Sequence, residues 1–139
     1  MPLATAFRVL LPNRPGAIAN LARSLAEVAV NIETGAAVAN GREAYFEFQV
    51  NDAGPAARVL KEHGAPFQQV EVLLAWIPNR PGELARALSP LEEAGINIDS
   101  LYMVDREENR VLMAIGCTDT ERADQLLSSG PSTSGHSGR

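Results

Sequence analysis

A short stretch of sequence occurs twice in this chain and constrains its fold more than any other feature. The stretch reads Pro-Asn-Arg-Pro-Gly at residues 12–16 and again at residues 78–82. Each copy follows an apolar run and precedes a helical pattern, and each pattern closes at the same distance on an Asn-Ile pair, residues 31–32 and 97–98. Matches at a constant offset indicate an internal repeat, which sets the frame for interpreting the rest of the chain.

The repeated stretch has the composition of a tight turn that leads from a strand into a helix. Proline at the first helical position has a suitable φ angle and lacks an N–H group that would have no partner there. Asparagine can cap the helix start or bind a ligand, and glycine allows close approach to the backbone. The free N–H groups of such a helix start attract carboxylates and phosphates. A plain turn is the simpler interpretation of one copy, whereas two copies favour a repeated ligand-binding site.

Apolar periodicity and turn residues predict the elements of the first repeat. Strands are predicted at residues 4–11, 31–39 and 42–50, and helices from Pro15 to near Ala29 and from Pro55 to Gly64. Asn40-Gly41 predicts a two-residue hairpin between the second and third strands. Residues 67–77 form one long extended segment.

The second repeat follows the same order with two departures. A helix is predicted from Pro81 to Gly95, strands at residues 96–104 and 110–117, and a last helix at residues 120–128. Pro90 lies inside the predicted helix, so we expect a kink or a break near Ser89. The second repeat ends in a Ser/Gly-rich stretch where the first has a strand.

Each repeat reads strand-helix-strand-strand-helix-strand, which predicts an α+β fold of two tandem ferredoxin-like βαββαβ units. Each unit would be an antiparallel sheet with its helices on one face, and the second unit lacks a clear last strand. Residues 67–77 are long for one strand, so we assign their first part to the first unit and the rest to the second. The predicted domains are residues 1–70 and 71–128, each marginal alone, followed by a disordered tail at residues 129–139.

Charge and cysteine content exclude several classes of partner and location. The net charge is −5 and there is no run of Lys or Arg, so we expect neither nucleic acid nor an anionic membrane as a partner. No secretory signal or membrane-length apolar segment is present in the sequence. Cys117 is the only cysteine, which forbids an internal disulfide and fits a reducing compartment. We therefore expect a cytoplasmic protein.

The Asn-Arg-Pro-Gly turn and the later Val/Ile-Asn-Ile segment resemble the ACT domain family, over residues 4–128 as two tandem copies. The resemblance implies small regulatory modules that bind amino acids and related metabolites, usually at domain interfaces. It places the ligand between the turn of one domain and the start of the second strand of its neighbour. The matching positions are Asn13, Pro15, Gly16, Ile18, Asn31 and Ile32 in the first unit, and Asn79, Pro81, Gly82, Leu84, Asn97 and Ile98 in the second.

Leu11 and Ile77 stand where the serine-regulated dehydrogenases of this family have a ligand-binding histidine. The resemblance therefore implies a less polar contact with the ligand at these two positions.

No combination of acid, base, nucleophile or metal ligands in the sequence points to catalysis. Cys117 lies in an apolar strand with no histidine nearby, which favours a buried structural thiol, and His63 at a helix end favours a capping role. Trp76 suits a pocket, an interface or the core. We therefore predict a protein that is not an enzyme and that needs no cofactor and no metal.

Two further functions stay open besides a regulatory protein that binds a small amino acid or related metabolite. One is a structural or oligomerisation module, or a regulatory subunit of an amino-acid biosynthetic enzyme, without a ligand of its own. The other is a small enzyme on the same fold, which the missing catalytic groups make the weakest of the three. We expect a homodimer, because residues 73–77 would otherwise form an unpaired sheet edge. Coverage of this edge by the tail is the alternative, and an amino-acid metabolic enzyme is a candidate partner.

Overall fold

The structure is a computed structural model that describes residues 2–129. The strands are β1 (Leu3–Pro12), β2 (Ile32–Asn40), β3 (Glu43–Val50), β4 (Phe67–Pro78), β5 (Ile98–Arg106) and β6 (Arg110–Cys117). The helices are α1 (Ala17–Glu27), α2 (Ala53–His63), α3 (Glu83–Glu93) and α4 (Thr120–Ser129). The predicted tail lies outside the described residues except for Ser129, which ends α4.

The described chain divides into two compact units. Residues 5–70 form the N-terminal unit, and residues 71–129 together with residues 2–4 form the C-terminal unit. Both units combine antiparallel strands with two helices each, so the predicted α+β fold with a repeated βαββαβ-like pattern is confirmed.

In the N-terminal unit the strands lie in the order β2-β3-β1-β4. β3 is antiparallel to both of its neighbours, with Phe7 of β1 opposite Phe48 of β3. The large side chains of one sheet face pack against the apolar sides of α1 and α2 in a single cluster that includes Phe7, Leu11, Leu21, Leu25, Phe48 and Leu60. Because both helices contribute to this one cluster, they cover the same face of the sheet.

In the C-terminal unit the order is β4-β6-β5, and both strand pairs are antiparallel. Its core includes Leu73, Ile77, Leu91, Ile96, Ile115 and Leu127. No strand follows β6 within residues 118–129, since the chain continues into α4. However, the N–H group of Leu74 donates to the carbonyl oxygen of Pro2 at 3.0 Å. The unpaired edge on which we based the homodimer prediction is therefore partly occupied by the start of the chain.

The second-repeat helix does not break at Pro90, because α3 runs from Glu83 to Glu93 with this proline inside it. A proline inside a helix costs ~3 kcal/mol. The next residue, Leu91, is fully buried in the core, and burial of one leucine side chain contributes about 1.5–3 kcal/mol. Packing of the helix beyond Pro90 thus offsets the local cost.

The hairpin between β2 and β3 differs by one residue from its prediction. Asn40 is the last residue of β2 and lies opposite Glu43. The two loop residues are therefore Gly41 and Arg42, with glycine in the first loop position, as in type II′ hairpin turns.

Candidate ligand-binding site

The N-terminal copy of the repeated stretch forms a β-turn ahead of α1. The N–H group of Ala17 donates to the carbonyl oxygen of Arg14 at 3.3 Å. Gly16, between them, has φ 88° and ψ −10°. Proline at the second position and a left-handed residue at the third define a type II turn, and we call residues 12–16 the N-terminal Pro-Gly turn.

The C-terminal Pro-Gly turn, residues 78–82, has the same geometry. The N–H group of Glu83 donates to the carbonyl oxygen of Arg80 at 3.2 Å, and Gly82 has φ 87° and ψ −14°. The prediction that Pro15 and Pro81 are the first helical residues is therefore wrong. Each helix begins after the glycine, because the left-handed backbone of that glycine is incompatible with an α-helix.

The asparagines of the two turns are used differently. The backbone N–H of Asn13 donates to the carbonyl oxygen of Arg42 at 2.8 Å. The side-chain Nδ2 of Asn13 donates to the carbonyl oxygen of Gly41 at 2.8 Å. The backbone N–H of Asn79 donates in the same way to Asn109 at 2.9 Å. The side chain of Asn79, however, makes none of the hydrogen bonds found in residues 2–129. Only the second turn thus presents a free amide.

The two helix starts also differ in charge. No side chain caps the N–H groups of either helix. The first turn of α1 contains no acidic residue, whereas α3 begins with Glu83. Glu83 pairs with Arg80 at 3.0 Å and with Arg86 at 3.7 Å. A ligand carboxylate would therefore meet an uncompensated helix dipole at α1 and a competing carboxylate at α3.

Asn31 and Asn97 lie just before β2 and β5, and the backbone N–H of each donates to a side-chain oxygen. The N–H group of Asn31 donates to Oδ1 of Asn51 at 2.9 Å, and its side chain makes no hydrogen bond within residues 2–129. The N–H group of Asn97 donates to Oγ1 of Thr118 at 3.2 Å. The sequence analysis missed Asn51 and Thr118, although each is a polar residue directly after a hairpin strand.

The side chain of Asn97 is already engaged. Its Nδ2 donates to Oδ1 of Asp99 at 3.0 Å and to the carbonyl oxygen of Ile98 at 3.3 Å. The amide nitrogen is therefore already used as a donor, and the amide oxygen is left to accept a hydrogen bond from a ligand.

The C-terminal unit contains an open groove of about 560 Å³ between one side of α3 and the segment that enters β5. We call it the α3 groove, and its lining residues are Ala85, Leu88, Ser89, Glu92, Gly95, Ile96, Asn97 and Ile98. Of the predicted site residues it brings together Asn97 and Ile98. The predicted residues Asn79, Pro81 and Gly82 of the C-terminal Pro-Gly turn do not line it, and neither does Leu84 of α3. Ser89 and Glu92 were missed, although helical spacing places them on one side of α3 with Ala85.

Exposure separates the apolar residues near the two turns into two groups. Ile18 and Leu84, at equivalent positions of the repeat, are 39% and 40% exposed and accessible to a ligand. Leu11 and Ile77 are only 2% and 3% exposed and belong to the cores of their units. The expected contact of Leu11 and Ile77 with the ligand is therefore wrong, since a side chain packed in the core cannot line a surface site.

Trp76 and Cys117, which the sequence analysis singled out, both contact other parts of the protein. The guanidinium of Arg110 lies 4.0 Å from the ring centre of the half-buried Trp76 and pairs with Glu107 at 2.7 Å. Cys117 is buried, and this burial raises the pKa of its thiol.

Within residues 2–129 no group of three or more His, Cys, Asp or Glu side chains could hold a metal ion. No helix in the same range is long and apolar enough to cross a membrane.

No protein-family model and no curated protein sequence matches this chain. Similar folds are found among solved structures. Protein BT0572 from Bacteroides thetaiotaomicron is 22% identical with a TM-score of 0.77, and the match covers 91% of this chain and 87% of that one. The ligand-free regulatory subunit of aspartate kinase from Thermus thermophilus is 16% identical with a TM-score of 0.62, covering 92% and 96%. The corresponding subunit from Thermus flavus is 19% identical with a TM-score of 0.64, covering 91% and 92%.

At these identities the likeness establishes the fold. The chain has the fold of the aspartate kinase regulatory subunits over nearly its whole length. This result confirms the ACT-type fold that the resemblance in sequence predicted.

Proposed function

We propose that this chain is a tandem ACT-type regulatory protein that binds a small amino acid or related metabolite and catalyses no reaction itself. Its two ACT domains would be residues 1–70 and 71–128. The observation that supports ligand binding most directly is the α3 groove, where Asn97 and Ile98 lie beside an exposed side of α3.

The groove has the mixed chemistry that an amino acid requires. Leu88, Ile96 and Ile98 offer apolar surface for a side chain, and Ser89 and Asn97 offer polar atoms beside it. Small-molecule sites commonly combine a mostly apolar lining with a few polar groups that orient the ligand. In the N-terminal unit the candidate site consists of Asn31 and the uncapped start of α1.

The proposal includes a partner through which binding is transmitted, because a regulator without catalytic groups acts on another protein. An amino-acid metabolic enzyme is the partner class we propose, supported by the likeness to regulatory subunits of aspartate kinase. We also propose a cytoplasmic homodimer that binds neither nucleic acid nor membranes, consistent with the net charge of −5.

A thermal-shift screen of the full chain against the common amino acids tests the proposal. A ligand that binds the folded state raises its stability by ~2.7 kcal/mol when present at 100-fold its Kd. We expect one or a few amino acids to raise the Tm and the others to leave it unchanged. If no amino acid raises the Tm at millimolar concentration, the proposed ligand class is wrong.

One observation favours the alternative of an assembly module without a ligand. Val38 and Tyr45 lie opposite each other on β2 and β3 and are both strongly exposed. An exposed apolar cross-strand pair is suited to contact with another protein. A stable dimer that Val38→Ser dissociates, in a protein that binds no amino acid, would support this second function.

A further inference from the structure

We infer that the α3 groove selects ligands in which an ammonium group lies next to an apolar chain, and that Glu92 binds the ammonium. This inference deepens the proposed function, because it specifies which end of an amino acid, or which amine, the same groove holds.

The charge of the groove is the first argument. Among the residues that line it, Glu92 alone is charged. Its carboxylate makes no hydrogen bond or ion pair within residues 2–129. Glu92 lies in the last turn of α3, where the helix dipole adds partial negative charge. Arg122 reaches this helix end by donating to the carbonyl oxygen of Ala94 at 3.2 Å, and it does not line the groove.

The hydrogen bonds of the other polar side chains are the second argument. The hydroxyl of Ser89 donates its hydrogen to the carbonyl oxygen of Ala85 at 2.7 Å. The amide nitrogen of Asn97 already donates to Asp99 and to the carbonyl oxygen of Ile98. Ser89, Asn97 and Glu92 therefore all present acceptor oxygens to the groove. An ammonium group has three donors and no acceptor, whereas a carboxylate has only acceptors.

The apolar lining is the third argument. Leu88, Ile96 and Ile98 line the groove beside these acceptors, and Ile96 is buried. An aliphatic chain attached to the ammonium would bury its surface against them. A small inorganic cation would gain nothing from this surface.

The N-terminal unit has different side chains at the equivalent positions. Arg23 replaces Ser89, and Ala26 replaces Glu92. Arg23 carries a positive charge and donates to Oδ1 of Asn20. The inference therefore applies to the C-terminal unit alone.

Isothermal titration calorimetry of the full chain with three probes that share one branched five-carbon skeleton tests this inference. The probes are 3-methylbutylamine, 3-methylbutanol and 3-methylbutanoate, which are cationic, neutral and anionic at pH 7. We expect the amine to bind about tenfold or more tightly than the alcohol, and the carboxylate to bind more weakly than both. Methyl NMR signals of Leu88, Ile96 and Ile98 should shift on addition of the amine to the unsubstituted protein.

Glu92→Gln tests the residue, and Glu93→Gln is its matched control. Both glutamates are exposed and end the same helix, but Glu93 does not line the groove. We expect Glu92→Gln to weaken amine binding about tenfold and Glu93→Gln to leave it nearly unchanged. Equal effects of the two substitutions, equal binding of amine and alcohol, or no binding of the amine would each overturn the inference.

The outcome is separable from that of the proposed function. Amino-acid binding that is insensitive to Glu92→Gln would keep the proposed function and refute the role of Glu92. Binding of the amine without binding of any amino acid would refute the proposed function and keep the role of Glu92.

Discussion

The two repeats have Pro-Gly turns of the same backbone geometry but opposite patterns of free asparagine side chains. In the N-terminal unit Asn13 is bound to the hairpin carbonyl of Gly41, while the amide of Asn31 makes no hydrogen bond within residues 2–129. In the C-terminal unit the amide of Asn79 makes none, and Asn97 is bound to Asp99. A repeated backbone therefore does not imply two equivalent sites, because the donors and acceptors depend on partners that the repeat does not copy.

The charged side chains around α1 and α3 also differ between the two units. The start of α1 has no acidic residue, and its side carries Arg23 where α3 has Ser89. The start of α3 has Glu83, and Glu92 lines its groove. From these charges we expect the N-terminal unit to favour an anionic group and the C-terminal unit a cationic one.

The largest effect is expected where the two units differ in the size of one strand residue. Gly35 on β2 occupies the repeat position that Leu101 occupies on β5. A Cβ atom at Gly35 would lie 2.5 Å from the carbonyl oxygen of Glu47 and 2.9 Å from Cβ of Phe48. We expect Gly35→Ala to lower the free energy of unfolding by about 3 kcal/mol, measured by urea denaturation.

The reverse change, Leu101→Gly, is the control for this prediction. Leu101 is 37% exposed, so its removal should cost less, about 1–2 kcal/mol. A cost of Gly35→Ala below about 1 kcal/mol would mean that β2 adapts to the added atom.

The second prediction concerns which unit binds the ligand. If the amino acid occupies the α3 groove, Asn97→Ala should weaken its binding about tenfold, or ~1.4 kcal/mol, through loss of the acceptor oxygen. Asn31→Ala should leave the affinity unchanged. Calorimetry with the best amino acid of the thermal-shift screen measures both, and the opposite result would place the ligand in the N-terminal unit.

The third prediction concerns the second residue after the end of α1 and of α3. Gly95 has φ 74° and Ala29, at the same repeat position, has φ 62°. A residue with a Cβ atom is strained by about 1 kcal/mol in this left-handed conformation. We expect Ala29→Gly to raise and Gly95→Ala to lower the free energy of unfolding by about 1 kcal/mol. A Cβ at Gly95 meets no atom within 4 Å, so a much larger loss would contradict an explanation by backbone strain alone.

The smallest effect is expected at the turn asparagines. Asn13→Ala removes a side-chain hydrogen bond to Gly41 and should cost about 0.5–1 kcal/mol. Asn79→Ala removes no hydrogen bond within residues 2–129 and should leave the stability unchanged. Thermal unfolding of the two variants side by side measures the difference, and equal losses would show that Asn79 has a structural role.

Local sequence patterns predicted most of the helices and strands, and they missed features that depend on tertiary contacts. Residues 110–117 were predicted as a strand, and β6 has the same bounds. A kink or a break was expected near Ser89, and the break is absent because the burial of Leu91 stabilises α3 beyond Pro90. Pro15 was expected to open a helix and instead occupies a type II turn, because the following glycine takes a left-handed conformation. Proline precedes glycine in such turns and also opens helices, so composition alone did not separate the two geometries.

The sequence by itself determined the repeat, the order of the elements and the fold class, because these follow from local periodicity and turn chemistry. Only the tertiary structure decided that the start of the chain occupies the edge of β4, that Asn97 joins Glu92 in one groove, and which asparagine side chains stay free. The physical reason is the same in each case. A hydrogen bond or a groove needs partners from distant parts of the chain, and the fold alone brings those partners within reach.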